Sequence, residues 1–335
     1  MSGILHFFNP SHDEALASDS PYYTPTKAAL RMEEELQDFP RLWAERCDFI
    51  PGELFSWIAV TGIEPWGWDK RARFLMRKAG APEDFLPGDE TLAHIRRLSS
   101  RQTVAELLPL LTSQCEGTFG ESHFFTSEKE LYGWLSTCRE AMLKAPWSCS
   151  GRGVFRCNGS PEPEQRRRIS RIVGEQGGIE AEPYYPQAHD FAMEFESKGG
   201  EISYLGISLF LTSPEGRYLG NIIDSEENLL SLLESLSPAP SRTRDIYNNV
   251  REKLTSVLAH HVAPFYEGPL GVDMLLAEGC ICPMLELNVR QTMGGVALKM
   301  RKRVDAPSLL SIGMENGRLK AQIKNYDKEK MIFRK

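Results

Sequence analysis

The stretch Gly271–Gly295, GVDMLLAEGCICPMLELNVRQTMGG, constrains the chain more than any other. Two apolar runs, Gly271–Leu276 and Ile281–Val289, flank the turn-forming Ala277-Glu278-Gly279, and this pattern predicts a β-hairpin. Successive strand side chains leave on opposite faces. Glu286, Asn288 and Arg290 therefore share one face, while Leu285, Leu287 and Val289 point into a core. Asp273 lies on the partner strand. The expected result is two carboxylates and an amide oxygen close together, with a guanidinium at the rim. Hard oxygen donors of this kind suit Mg²⁺, above all where phosphate oxygens complete the shell. A hairpin with one solvated face carries the same alternation, so this stretch alone leaves both readings open.

A second stretch, Ala141–Phe155 (AMLKAPWSCSGRGVF), brings Lys144 out of a short strand into a loop rich in Ser and Gly. Around Ser148, Ser150, Gly151 and Gly153 the backbone can come close to a ligand and aim N–H groups at it. A lysine beside such a loop is suited to clamp a phosphate. There is neither a Gly-Lys-Ser/Thr phosphate loop nor a three-glycine dinucleotide fingerprint. An ordinary Ser/Gly hairpin turn fits the same residues.

At 335 residues the chain has room for two or three modest domains. Its 41% hydrophobic and 25% charged residues are those of a globular protein. A net charge of −7 argues against a nucleic-acid partner, whose binders are usually basic. No apolar run approaches a membrane span, and MSGILHFFNP has neither the basic start nor the long apolar stretch of a signal peptide. The seven scattered cysteines, an odd number, are expected as free thiols in a reducing, cytoplasmic compartment. Cys280 and Cys282 lack two further ligands at zinc-like spacing.

Along the chain, Ile4–Phe8 is predicted as a buried strand and Ser11 with Glu14 as a capping box. His12 and Asp13 then fall at the carboxyl end of a first strand, where open α/β sheets bind ligands. His12 is a candidate substrate contact; a solvated first helical turn is the other reading. Thr61–Asp69, with Gly62, Pro65 and Gly67, reads as a loop. Alternating strands and helices up to about Arg96 predict a small parallel-sheet domain. Helices are expected over Ser100–Leu111, with Arg101 in the first turn, and from a second capping box at Ser127. Phe191–Glu196, Ile202–Leu211 and Arg217–Ile223 read as antiparallel strands, with Asp190, Glu194 and Glu196 on one face. Helices follow over Ser225–Leu236 and Arg242–His261. Gly294 and Gly295 open a last helix, whose first N–H groups favour anions.

Taken in order, Lys144 before a glycine loop, Glu182-Pro183-Tyr184-Tyr185, Asp273, and Glu286-x-Asn288-x-Arg290 resemble the ATP-grasp superfamily, over roughly Arg96 to Val304. The resemblance implies a mixed α+β and α/β architecture. Two α+β subdomains clasp ATP and follow a small parallel-sheet α/β domain. The expected bounds are 1–95, 96–310 with a lid over about 118–185, and a basic tail or strand pair at 311–335. It implies ATP with one or two Mg²⁺ ions, Mn²⁺ being an acceptable substitute, held by Asp273, Glu286 and Asn288. Lys144 and Arg101, the latter where the family usually has lysine, would meet the phosphates. The Ser148–Gly153 loop, with Ser150 and Gly151, would close over them. Glu180, Glu182 and Tyr184 would border the adenine, and Asp190 the ribose. Arg290 would stabilise charge on the transferring group and, with Gly294, Gly295 and His12, bind the acid. The implied activity joins a carboxylate to an amine or similar nucleophile through an acyl phosphate, releasing ADP and phosphate. A kinase on the same fold and a non-catalytic ATP sensor or scaffold are the alternatives. Small-molecule partners are expected, without nucleic acid or membrane; a homodimer is compatible.

Overall fold

The computed structural model describes residues 2–53, 55–148, 153–186, 188–213 and 218–326. Its first two strands, β1 (Gly3–Phe7) and β2 (Val60–Pro65), pair in parallel. Between them lie α1 (His12–Ser18) and α2 (Lys27–Glu35); α3 (Lys70–Lys78) and α4 (Asp89–Leu98) follow. The sequence makes Thr61–Asp69 a loop, yet β2 runs through Gly62 to Pro65. β2 is an edge strand, so no further neighbour needs the N–H that proline lacks. The two expected capping boxes do not form. Ser11 precedes α1 and Ser127 precedes a later helix, but neither hydroxyl accepts a helix N–H.

A second unit comprises α5 (Arg101–Thr112), β3 (His123–Phe125), α6 (Glu128–Leu135), β4 (Ala141–Lys144), β5 (Val154–Cys157), α7 (Pro163–Gln176) and β6 (Ile179–Pro183). Its strands form an antiparallel sheet in the order β3-β6-β4-β5. Leu131, Leu135, Leu143, Ile169 and Ile179 pack beneath this sheet as a separate core. Burying such side chains is what chiefly holds a small layer together, at about 2 kcal/mol each.

The largest sheet uses β7 (His189–Lys198), β8 (Glu201–Thr212), β9 (Tyr218–Ile223), β10 (Gly268–Ala277), β11 (Cys280–Asn288), β12 (Ser308–Glu315) and β13 (Arg318–Asn325). The order is β11-β10-β7-β8-β9-β12-β13, and every pairing is antiparallel. One face buries Phe191, Met193, Phe195, Val272, Met274 and Leu287. Against that core pack α5, α8 (Glu226–Ser235) and α9 (Pro240–His261). The alternate residues are polar, and α10 (Met293–Met300) lies over them. The β10–β11 hairpin closes through Glu278 and Gly279, whose φ of 51° and 78° match the mirror-image turn that suits strand twist. Pro283 is tolerated because β11 is an edge strand, and the register slips nearby, between Asp273 and Leu275.

Among the described residues no helix is long and apolar enough to cross a membrane. The six described cysteines are free.

Candidate functional site

The predicted oxygen donors come together on the polar face of the large sheet. Asp273 stands opposite Glu286, and Asn288 donates to Asp273 Oδ2 at 3.2 Å. Burial pushes the Asp273 carboxyl well above the usual carboxylate range. Repulsion from Glu286 and Glu194 adds to this, outweighing Arg290 and the Asn288 hydrogen bond. Among the described residues no group of three or more His, Cys, Asp or Glu side chains could hold a metal ion. The set here is two carboxylates and an amide. It leaves most of a coordination shell to phosphate and water, which is how Mg²⁺ usually sits.

The expected phosphate-binding cations lie nearby, each on a carboxylate. Arg101, the first residue of α5, is 4% exposed and pairs with Glu286 at 2.9 Å. It also donates to the Ala145 carbonyl at 2.6 Å and the Ser148 hydroxyl at 3.0 Å, so it ties the Asp273–Glu286 face to the end of β4. Lys144 pairs with Glu182 at 2.8 Å and approaches Glu180 at 3.7 Å. Burial disfavours its charge, but the two glutamates outweigh burial and hold the ammonium above its ordinary value. One lysine cannot neutralise two buried carboxylates, and burial pushes Glu182 up to about 7 against the pull of Lys144. Ser122 donates to Glu180 at 2.8 Å.

The glutamates expected at the adenine edge are thus engaged within the chain. Tyr184 donates its N–H to the Glu140 carbonyl at 3.0 Å, and Arg156 covers its ring at 4.0 Å. Asp190, at the start of β7, is pushed up to about 6 by burial, with Lys144 pulling the other way. A Cβ on Gly153 would overlap Ser148, so the loop's two described ends touch. Ser150 and Gly151 lie outside the described residues.

Arg290 does not stand free at the rim. Asp13, from the first turn of α1, takes its guanidinium in a two-point pair at 3.1 and 3.3 Å, and Arg290 also donates to the Gln291 carbonyl. Burial would raise the Asp13 carboxyl, but Arg290, His12 and Arg101 together hold it below the usual range. His12, read as a substrate contact, is only 1% exposed. Its Nδ1 lies 3.1 Å from Asp69 Oδ2, and its ring packs so closely on Gly67 that a Cβ there would come within 2.6 Å. That close packing turns His12 into the core of the N-terminal segment, while its neighbour Asp13 reaches Arg290.

Gly294 and Gly295 are both buried at the start of α10. The Gly295 N–H is already taken by the Thr292 hydroxyl at 2.8 Å, an ordinary N-cap. Thr292 in turn donates to Glu194 at 2.7 Å, and a Cβ on Gly294 would overlap that carboxylate and the Ser208 hydroxyl. The helix start expected to meet a substrate carboxylate therefore has a resident one. Burial pushes Glu194 up to about 7, although Thr292 and Arg290 pull it down. Sequence reasoning assigned no role to Asp13 or Glu194. For Glu194 the signal was present, since its strand position shares a face with Asp190; for Asp13 the partner is 277 positions away.

No protein-family model matches the sequence, and no curated protein matches it closely enough to serve as a relative. Solved structures do share its shape. Biotin carboxylase from Campylobacter jejuni, solved as a complex with β-γ-ATP, overlays with a TM-score of 0.52 at 12% identity, over 91% of this chain and 69% of that one. D-alanyl-alanine synthetase A from Vibrio cholerae overlays with a TM-score of 0.51 at 12% identity, over 90% of this chain and 93% of that one. Identity at this level speaks for the fold alone. The chain has the ATP-grasp fold that the order of its motifs resembles.

Proposed function

We propose that the chain is an ATP-dependent ligase. It joins a carboxylate, an amino acid or small acid, to an amine or similar nucleophile, with release of ADP and phosphate. One observation carries the reading. Asp273, Glu286 and Asn288 share one partly buried sheet face, and Arg101 links that face directly to the loop after Lys144. The donor set fits a small, hard cation, and the raised Asp273 carboxyl marks negative charge that the surrounding residues leave uncompensated. When bound there, Mg²⁺ would offset phosphate charge and polarise the terminal phosphoryl group.

The remaining work falls to the chain. Arg101 and Lys144 exchange their carboxylates for phosphate oxygens, and Arg can grip two at once. Arg290, held in one plane by Asp13, offers its charge where an oxyanion develops. The acid's oxygen attacks the terminal phosphorus and ADP leaves. The nucleophile's nitrogen then attacks the acyl carbon, phosphate leaves, and the nitrogen gives up a proton. No side-chain nucleophile is needed, because positioning and charge neutralisation carry such transfers. The proposal brings with it the bounds 1–95, 96–310 and 311–335, a cytoplasmic setting, and Mn²⁺ as a stand-in ion.

The test is the thermal shift with Mg·ATP, against Mg·GTP and metal-free ATP, on the wild type and Glu286→Gln. A ligand that binds only the folded state raises the melting temperature by mass action. The expected result is a rise with Mg·ATP that shrinks in the variant, followed by ADP and free phosphate when acids and amines are supplied. No shift from any nucleotide at millimolar concentration overturns the reading; a stable phosphorylated product makes the protein a kinase instead.

A further inference from the structure

Glu194 has no part in the assignments above, yet it stands within the same face. Cross-strand neighbours in a sheet share a face. Glu194 on β7 is opposite Gly271 on β10, which is opposite Asn288 on β11. Two residues further along β10, Asp273 is opposite Glu286. Gly271 brings no side chain to this array, and the Glu194 carboxylate fills the space instead. A Cβ on Gly271 would come within 2.7 Å of Glu194 Oε2. The carboxylate therefore lies over β10, beside Asp273 and Asn288, rather than over its own strand.

Its surroundings make it costly. Glu194 is 3% exposed, its hydrogen bond from Thr292 comes from a neutral hydroxyl, and it has no ion pair among the described residues. Other carboxylates of the site differ. Glu286 has Arg101, Asp13 has Arg290, and Glu182 has Lys144. An unpaired buried carboxylate costs several kcal/mol, and a neutral side chain of the same shape is usually easier on the fold. With Arg101 set against Glu286, two carboxylates on the face, Asp273 and Glu194, lack a cation. Their summed charge matches one divalent ion.

We propose that Glu194 supports the divalent-ion site from just outside its coordination shell, with its charge serving ion binding and not stability. The inference rests on the reading of Asp273, Glu286 and Asn288 as that site. Glu194 also joins the site to α10, since Thr292 accepts from Gly295 and donates to the carboxylate.

The test measures Mn²⁺ binding by electron paramagnetic resonance at pH 8, with and without ATP, alongside the melting temperature of the ligand-free protein. Glu194→Gln keeps the shape and removes the charge. Its Mn²⁺ affinity should fall about tenfold, the scale on which residues just outside a coordination shell act, while its melting temperature holds or rises. Glu196→Gln, an exposed carboxylate on the same strand, should change neither. Gly271→Ala displaces the Glu194 carboxylate without altering charge and should weaken binding severalfold. Mn²⁺ affinity within twofold of wild type in Glu194→Gln overturns the inference. So does a lower melting temperature at unchanged affinity, which would make Glu194 only an anchor for Thr292. If Glu194→Gln loses both, Gly271→Ala decides: weakened binding supports the inference and intact binding overturns it. A wild type that binds neither Mn²⁺ nor Mg·ATP takes down the whole site, whereas a binding wild type with an equally competent Glu194→Gln removes Glu194 alone.

Discussion

Two buried clusters of charge face each other across this molecule, and they are balanced differently. In the four-stranded sheet, Lys144 sits between Glu180 and Glu182, with Ser122 satisfying one of them. On the large sheet, Glu194 is as deeply buried and Asp273 partly buried, and neither has a cation at ion-pair distance among the described residues. Burial is therefore not what distinguishes them. The first cluster has a cation within the chain, one lysine to two carboxylates, and can hold β4 against β6 in a fixed register. The second carries an excess of negative charge, which is unfavourable in the isolated protein and useful only towards something positive. Buried groups that a fold does not balance are candidates for function for that reason.

The contrast can be broken most sharply at Glu286. Glu286→Gln should lower the proposed ATP-dependent turnover, measured as ADP formed, by on the order of 10²-fold or more, because catalysis of this kind leans most heavily on stabilising charge at the transferring group. The fold should survive, with Arg101 keeping its hydrogen bonds to Ala145 and Ser148. Retained turnover would remove Glu286 from the ion site. Lys144→Met attacks the cluster that has its own cation instead. It leaves Glu180 and Glu182 buried without their cation, so urea unfolding should show a loss of about 3–5 kcal/mol. Burial already pushes Glu182 up to about 7, and losing the pull of Lys144 raises it further, so protonation relieves more of that loss at low pH than at high pH. The penalty should be larger at pH 8 than at pH 6. An equal penalty at both would mean that the cluster is not limited by charge.

Gly294→Ala is a milder perturbation. The new methyl meets Glu194 and Ser208, and overpacking of this kind costs about 1–3 kcal/mol. A loss in that range, accompanied by weaker Mg·ATP binding, would sharpen the link between α10 and the acidic face. The same loss without a binding change would confine the glycine to packing.

Much of this was legible in the sequence wherever one local rule dominated. The alternation along Cys280–Asn288 placed Glu286 and Asn288 together, and Glu278-Gly279 marked the turn. The failures share a cause, which is that tertiary contacts overrule local preference. Gly62 and Pro65 read as loop residues because nothing local says that β2 is an edge. Ser11 and Ser127 have cap spacing, but neither hydroxyl turns to its helix. His12 and Asp13 are adjacent and equally polar. Only the approach of Gly67 to one and Arg290 to the other separates a core histidine from a site carboxylate. The partners of Arg101 and Lys144 were likewise invisible, since each bond joins elements far apart in sequence.

The pH dependence of stability is a further reading of the buried carboxylates. Burial pushes Asp190 up to about 6 and both Glu194 and Glu182 up to about 7, whereas carboxyl groups in an unfolded chain lose their protons near 4. Between these values the folded protein holds more protons than the unfolded one, so its stability must fall as pH rises. The contribution is fully present below about pH 4 and is lost by about pH 7 to 8. Asp13 and Asp48, held below the ordinary range, act in the opposite sense and only in acid below about pH 4, so they do not mask it. The ligand-free wild type should therefore lose stability continuously between pH 5 and pH 8, followed by urea midpoints at each pH. Glu194→Gln should show a shallower slope, because one of the titrating groups is gone. Saturating Mg·ATP should flatten the wild-type slope too, since a bound cation favours the ionised carboxylates. A flat profile in the ligand-free wild type would mean that the face is already balanced, and the difference between the two clusters would disappear.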